Sequence, residues 1–175
     1  MTHTQPDISF VVGMVSRFMQ EPHELHWKDT KHIFHYIQGS HTYGLHFAAG
    51  KGLQLVGYTD SDYAGDIDSR KSTSGYMFHL GSGPICWQSK KQNTVALSST
   101  EAEYRGAVNA AIEALWLQHI LEEFGFDLPK PTVLHCDNQS AIEISKHPIQ
   151  HQRTKHIEVH MHYIRELIPG QIIAL

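Results

Sequence analysis

A continuous helical period over residues 99–124, with strand-like segments on both sides, constrains this chain more than any other feature. Ser98 and Glu101 form a capping-box signature at its start, and Gly125 ends the run. Upstream, residues 53–60 (LQLVGYTD) read as an apolar strand, preceded by GLHFAA and the turn GKG, which predict a hairpin into it. Residues 75–80 (GYMFHL) and 84–89 (PICWQS) predict two strands joined by Gly81-Ser82-Gly83. Downstream, residues 131–136 (PTVLHC) have the texture of a short buried strand. A strand–helix–strand crossover makes the 53–60 and 131–136 strands parallel neighbours, with the long helix on one face. The expected fold class is α/β, a mixed sheet flanked by helices.

The flanks are helical. Residues 7–20 place Ile8, Val11, Val12, Val15 and Phe18 at helical spacing, with Asp7 as the expected N-cap, and Pro22 interrupts the run. Residues 24–38 carry an apolar face of Trp27, Ile33, Phe34 and Ile37, with Gly39 as the stop signal, so the two segments predict a helical hairpin. After Asp137 a short helix runs to about Lys146, His147-Pro148 interrupts, and a last helix covers 155–167.

Composition narrows the class. A chain of 175 residues with 41% hydrophobic and 18% charged residues supports one buried core, with at most a small appendage. Cys86 and Cys136 are too few for a disulfide framework and lack metal-site spacing, which fits a reducing compartment. No apolar run reaches membrane-spanning length, and MTHTQPD has no secretory pattern, so an intracellular protein without membrane contact is expected. A net charge of −4 argues against nucleic-acid binding by overall positive charge, but not against local basic patches.

Four acidic residues stand where the predicted elements expose them. Asp60 and Asp137 end the two strands expected to be parallel neighbours, which puts their carboxylates at one sheet edge. Glu103 lies one turn into the long helix, on which Ala107, Ala110, Ala111 and Ala114 permit close approach to the sheet. Glu158 opens the last helix, with His162 one turn on. Gathered carboxylates raise one another's pKa, and a divalent cation removes that penalty; oxygen donors select Mg²⁺ or Mn²⁺ over zinc. Each residue also has an ordinary alternative. Asp60 suits a strand-end turn, Asp137 a helix N-cap, Glu103 a capping-box partner for Thr100, and Glu158 the positive end of a helix dipole.

Four blocks carry a resemblance that favours the metal-binding reading: GYTDSDYAGDIDSRKSTSGY, WQSKKQNTVALSSTEAEY, CDNQSAI and RTKHIEVHMHYIRE. In sequence and order they resemble the ribonuclease H domain of copia-type LTR retrotransposon Pol polyproteins. The segment PDISFVVGMVSRFMQEPHELHWKDTKHIFHYIQGS resembles that family's connection from reverse transcriptase. The resemblance implies a ribonuclease H-like fold over 43–175, C-terminally truncated, after a helical remnant at 1–42. It implies an endoribonuclease that cuts the RNA of RNA–DNA hybrids with two Mg²⁺ or Mn²⁺ ions. Asp60, Glu103 and Asp137 become metal-binding catalytic residues, with Glu158 as the fourth acid, although some relatives carry theirs at the position of His160. His156 and His162 become auxiliary candidates for product release or proton movement. The reverse transcriptase catalytic region is absent, so no polymerase activity is expected, and the missing portion of the polyprotein becomes a candidate partner.

Short basic clusters complete the expected interface: Arg70-Lys71 with Ser72 and Thr73, Lys90-Lys91, and Arg153 with Lys155, all on predicted loops. Such groups hold phosphates without reading sequence, and a hybrid is recognised by shape and 2′-hydroxyls. Two alternatives stand beside the nuclease. One is a catalytically idle transposon-derived binding module. The other is a histidine-rich metal binder using His23/His26, His32/His35 and His156/His160, without the cysteine cluster or HExxH pattern of a zinc site.

Overall fold

A computed structural model describes residues 2–50, 52–146, 167–168, 170 and 172–175. Helices α1 (Ser9–Ser16) and α2 (Glu24–Gly39) precede strands β1 (Leu55–Asp62), β2 (Thr73–Leu80) and β3 (Gly83–Lys91). Helix α3 (Ser99–Glu123), strand β4 (Thr132–Cys136), helix α4 (Gln139–Lys146) and the two-residue strand β5 (Ile173–Ala174) follow. The sheet runs β3-β2-β1-β4-β5, with β1, β2 and β3 antiparallel and β1-β4 and β4-β5 parallel. This is the α/β, ribonuclease H-like architecture, with α3 as the crossover between β1 and β4.

Strand β1 alternates, with Leu55, Gly57, Thr59 and Ser61 buried and Tyr58, Asp60 and Asp62 exposed. Its buried side meets α3 through small residues: Ala107, Ala110, Ala111 and Ala114 are each at most 2% exposed. Two glycines set how closely the layers approach. A Cβ at Gly57 would stand 2.5 Å from the Phe78 ring and 2.8 Å from Leu134, inside the core. A Cβ at Gly106 would stand 2.5 Å from Ser61 Oγ, which shares a buried 3.0 Å hydrogen bond with Ser74 Oγ. Gly106→Val therefore forces α3 off the sheet and is expected to destabilise the fold by about 2–3 kcal/mol, measured by urea unfolding. The buried Gln118 amide donates to Thr132 Oγ1 (2.6 Å) and to the Ile172 carbonyl (3.2 Å), tying α3 to β4 and to the chain entering β5.

Several local expectations are corrected. GLHFAA forms no strand: Phe47 lies over Gly83, and the Ala48 amide bonds the Ser82 hydroxyl at 2.8 Å. That segment is held by side chains against the β2–β3 turn, so no ladder forms. Asp7 does not cap α1, which follows a 3-10 turn at Pro6–Ile8; its carboxylate instead accepts the Tyr36 hydroxyl. Helix α1 ends at Ser16, short of the expected 20, and α2 includes Gly39, closing at Ser40. The apolar face of α2 is only partly covered: Ile33 and Ile37 are half-buried, whereas Trp27 and Phe34 are more than half exposed. The N-terminal region still touches the sheet: Trp87 Nε1 donates to the Thr2 carbonyl (2.7 Å), and Arg17, at the end of α1, reaches Asp66 (3.3 Å) and Thr73 of β2 (3.2 Å). Strand β5 was not expected from the sequence. Among the described residues no helix is long and apolar enough to cross a membrane.

Candidate active site

The parallel register pairs Thr59 with Cys136, so the next residues, Asp60 within β1 and Asp137 just past β4, stand side by side toward the carboxyl ends of the two strands. The alternative roles for both are removed. Asp60 is not at the strand end, because β1 continues to Asp62. Asp137 does not cap α4, because Asn138 Oδ1 accepts the Ala141 amide at 2.9 Å. Both aspartates are exposed.

Glu103 reaches this pair from α3. The Ser98 hydroxyl caps the helix at the Glu101 amide (3.1 Å), and the Glu101 carboxylate returns to the Leu97 amide and to Arg105. The local duties of the helix start thus fall to Ser98 and Glu101, and Glu103 faces the sheet, 7% exposed. Burial, the Asp60 and Asp137 charges and a hydrogen bond with Asp60 push its pKa up to about 7, against a bond from the Ser61 backbone that lowers it. Its Oε2 is buried and has no hydrogen-bond partner among the described residues.

Among the described residues Glu103, Cys136 and Asp137 form a group whose ligand atoms lie within 4.8 Å of one another, and Asp60 adjoins it through Glu103. The donor set fits a hard divalent cation. An orphaned buried carboxylate oxygen beside two aspartates is a site for positive charge. The Cys136 thiol is held protonated by its burial and the surrounding carboxylates, which disfavours the thiolate that a zinc site needs. Sequence reasoning missed Cys136; its place next to Asp137 at a strand end was the signal available. The histidine pairs His23/His26 and His32/His35 belong to no such group, and the His23 amide simply donates to His26 Nδ1 at 3.0 Å.

The expected interface residues divide. Arg70 is exposed on the β1–β2 loop at φ +54°, and Lys71 is half-buried beside it. Ser72, the last residue of the loop, and Thr73, the first of β2, are both buried. Ser72 is fully buried with its hydroxyl accepting the Ala64 amide, and Thr73 opens β2 and accepts from Arg17. Lys90 and Lys91 close β3 rather than occupying a loop. Lys91 lies 2.5 Å from Asp66, a carboxylate that also takes Arg17 and both the amide and hydroxyl of Ser69. These partners hold the Asp66 pKa well below the usual range, so the loop is braced by a fixed negative charge. Arg153, Lys155, His156, Glu158, His160 and His162 lie outside the described residues, as does the last predicted helix up to residue 166.

No protein-family model matches the chain. It is 48% identical over all 175 residues to the retrovirus-related Pol polyprotein from transposon TNT 1-94 of Nicotiana tabacum, spanning 13% of that protein. It is 42% identical over 168 residues, 96% of its length, to the Pol polyprotein from transposon RE1 of Arabidopsis thaliana, spanning 12% of it. It is also 50% identical over 117 residues, 67% of its length, to the secreted RxLR effector protein 161 of Plasmopara viticola, covering 82% of that protein.

Proposed function

The chain belongs to the copia-type, retrovirus-related Pol polyproteins of transposons, and from there we propose that it is a ribonuclease H, hydrolysing the RNA strand of an RNA–DNA hybrid during reverse transcription. One observation carries this reading: a buried glutamate on α3, with an orphaned oxygen, between two exposed aspartates on adjacent parallel strands. Asp60, Glu103 and Asp137 would hold Mg²⁺ or Mn²⁺ in this reading, with Glu158 as the proposed fourth acid. Bound divalent cations supply the positive charge that neutralises a phosphodiester and makes water a stronger nucleophile.

The protein's own groups do the rest. Asp60 and Asp137 face solvent from a rigid sheet edge, where a duplex backbone can approach them. Glu103 is fixed by the α3–sheet contact, which holds its carboxyl toward the two aspartates. Arg70 and Lys71 supply phosphate contacts on the loop braced by Asp66. Neutralising both is expected to weaken hybrid binding and lower the slope of log K against log salt by about 2. Titrations over 50–300 mM salt check this, and an unchanged slope removes the two residues from the interface.

The test of the activity is cleavage of an end-labelled hybrid. RNA fragments should accumulate with Mg²⁺ or Mn²⁺, none with EDTA, and the DNA strand should remain intact. A folded protein that binds the hybrid and never cuts it under these conditions would instead be the idle binding module.

A further inference from the structure

The β1–β2 loop carries Arg70 and Lys71 on a turn that one aspartate both organises and anchors. Asp66 Oδ1 accepts the Ser69 amide (2.8 Å) and hydroxyl (2.7 Å), and the Asp66 carbonyl accepts the Arg70 amide (2.8 Å). The Lys71 carbonyl accepts the Asp66 amide at 3.2 Å, which closes the turn on itself. Within it Arg70 takes φ +54°, a backbone conformation that a residue with a side chain adopts only where its surroundings impose it. The other carboxylate oxygen ties the turn to the body of the protein. Asp66 Oδ2 lies 2.5 Å from Lys91 Nζ, at the end of β3, and 3.3 Å from Arg17 Nη1, just past the end of α1.

Arg17 supplies what the single ammonium of Lys91 does not. Its second nitrogen, Nη2, donates to Thr73 Oγ1 at 3.2 Å, so one guanidinium spans the turn and the first residue of β2. Thr73 pairs with Asp62 on one side and with Lys91 on the other, which places this fork level with the residue two beyond Asp60. The side chains of Arg17 and Asp66 are shielded, at 19% and 14% exposed. A guanidinium paired in this way is held in place and not presented to a ligand. Helix α1 packs on β3, so the helix sets where Arg17 stands and the turn follows.

Building on the nuclease reading, we infer that α1 is a working part of the nucleic-acid interface, with Arg17 as a positioning residue that acts through Asp66. Arg17 itself touches no substrate. It fixes the turn relative to β2, and the turn fixes the charges of Arg70 and Lys71 relative to the edge that bears Asp60 and Asp137. The helix before β1 is thus no passive appendage of the sheet.

Charge and position predict opposite signs at Asp66. Asp66→Asn keeps Oδ1 for Ser69 but loses the charge that anchors Arg17 and Lys91. It removes one anion and frees two cations, so by charge alone an RNA–DNA hybrid should bind more tightly. With the turn unanchored, binding should instead weaken about tenfold, read by fluorescence anisotropy of a short hybrid in EDTA with the full chain. Arg17→Met should weaken it about fivefold, and Arg17→Lys, which keeps the pairing with Asp66 and gives up Thr73, should recover part of that loss. In cleavage the loss should fall on KM and not on kcat. Without nucleic acid, trypsin should cut after Arg70 and Lys71 several-fold faster in Asp66→Asn and Arg17→Met. Circular dichroism checks that each variant is folded, and the two Arg17 variants carry the test if Asp66→Asn unfolds. Unchanged or tighter binding by the folded variants would overturn the role of Arg17 while wild-type cleavage and the nuclease reading stand. Weaker binding without faster tryptic cleavage would overturn it too. A wild type that neither binds nor cuts the hybrid would overturn both.

Discussion

Asp137→Asn and Asp60→Asn are each expected to lower hybrid cleavage by on the order of 1,000-fold or more while leaving the fold intact. The separation of effects follows from where the two residues stand. Both side chains are exposed, β1 continues past Asp60, and α4 is capped by Asn138. Neither aspartate therefore has a structural duty whose loss would unfold the chain. Asparagine keeps the shape and the hydrogen-bonding capacity but removes the charge that draws a divalent cation to this edge. Unfolding midpoints within about 0.5 kcal/mol of wild type, with binding retained and cleavage lost, are the expected pattern. Full cleavage by either variant would remove that residue from the chemistry.

The second large effect concerns Glu103 and has a definite sign in pH. Its carboxyl holds a proton up to about 7 in the folded, metal-free protein, whereas the unfolded chain releases it near the ordinary value of 4.5. Between those values the folded state binds more protons, so stability from this group is fully present below 4.5 and is lost as pH rises through about 7. The loss is expected to reach about 3 kcal/mol by pH 8, and Mg²⁺ or Mn²⁺ should restore it by compensating the ionised cluster. Asp66 acts in the opposite sense and in a different window. Its lowered pKa gives stability that is present above 3.8 and lost as pH falls below that value. Urea unfolding of the wild type and Glu103→Gln at pH 5 and pH 8 in EDTA isolates the Glu103 contribution. The variant should match the wild type at pH 5, exceed it at pH 8, and show no cleavage. A wild type and variant with parallel pH profiles would show that Glu103 ionises as an ordinary surface acid.

The sheet and its crossover were legible because period and punctuation agree along β1, β2, β3, α3 and β4. The close approach of α3 could be read from its alanines, and with it the convergence of Glu103 on the two strand ends. What the sequence concealed depends on contacts between distant segments. GLHFAA has a strand's composition, but Phe47 and Ala48 find side-chain partners at Ser82-Gly83. Ser72 and Thr73 sit in a polar run typical of a loop, and their burial follows only from the neighbouring strand and from Arg17. Cys136 carries no spacing signal, because its proximity to Glu103 is created by the crossover. Asp137 and Asn138 are both good cap residues, and only the geometry assigns the cap to Asn138 and frees Asp137.

Anomalous scattering from crystals grown in saturating Mn²⁺ addresses the metal site most directly. Manganese peaks are expected between the carboxylates of Asp60, Glu103 and Asp137, and should disappear in the Asp137→Asn protein. Manganese bound only at histidines such as His23 and His26, with no density against those three carboxylates, would contradict the account.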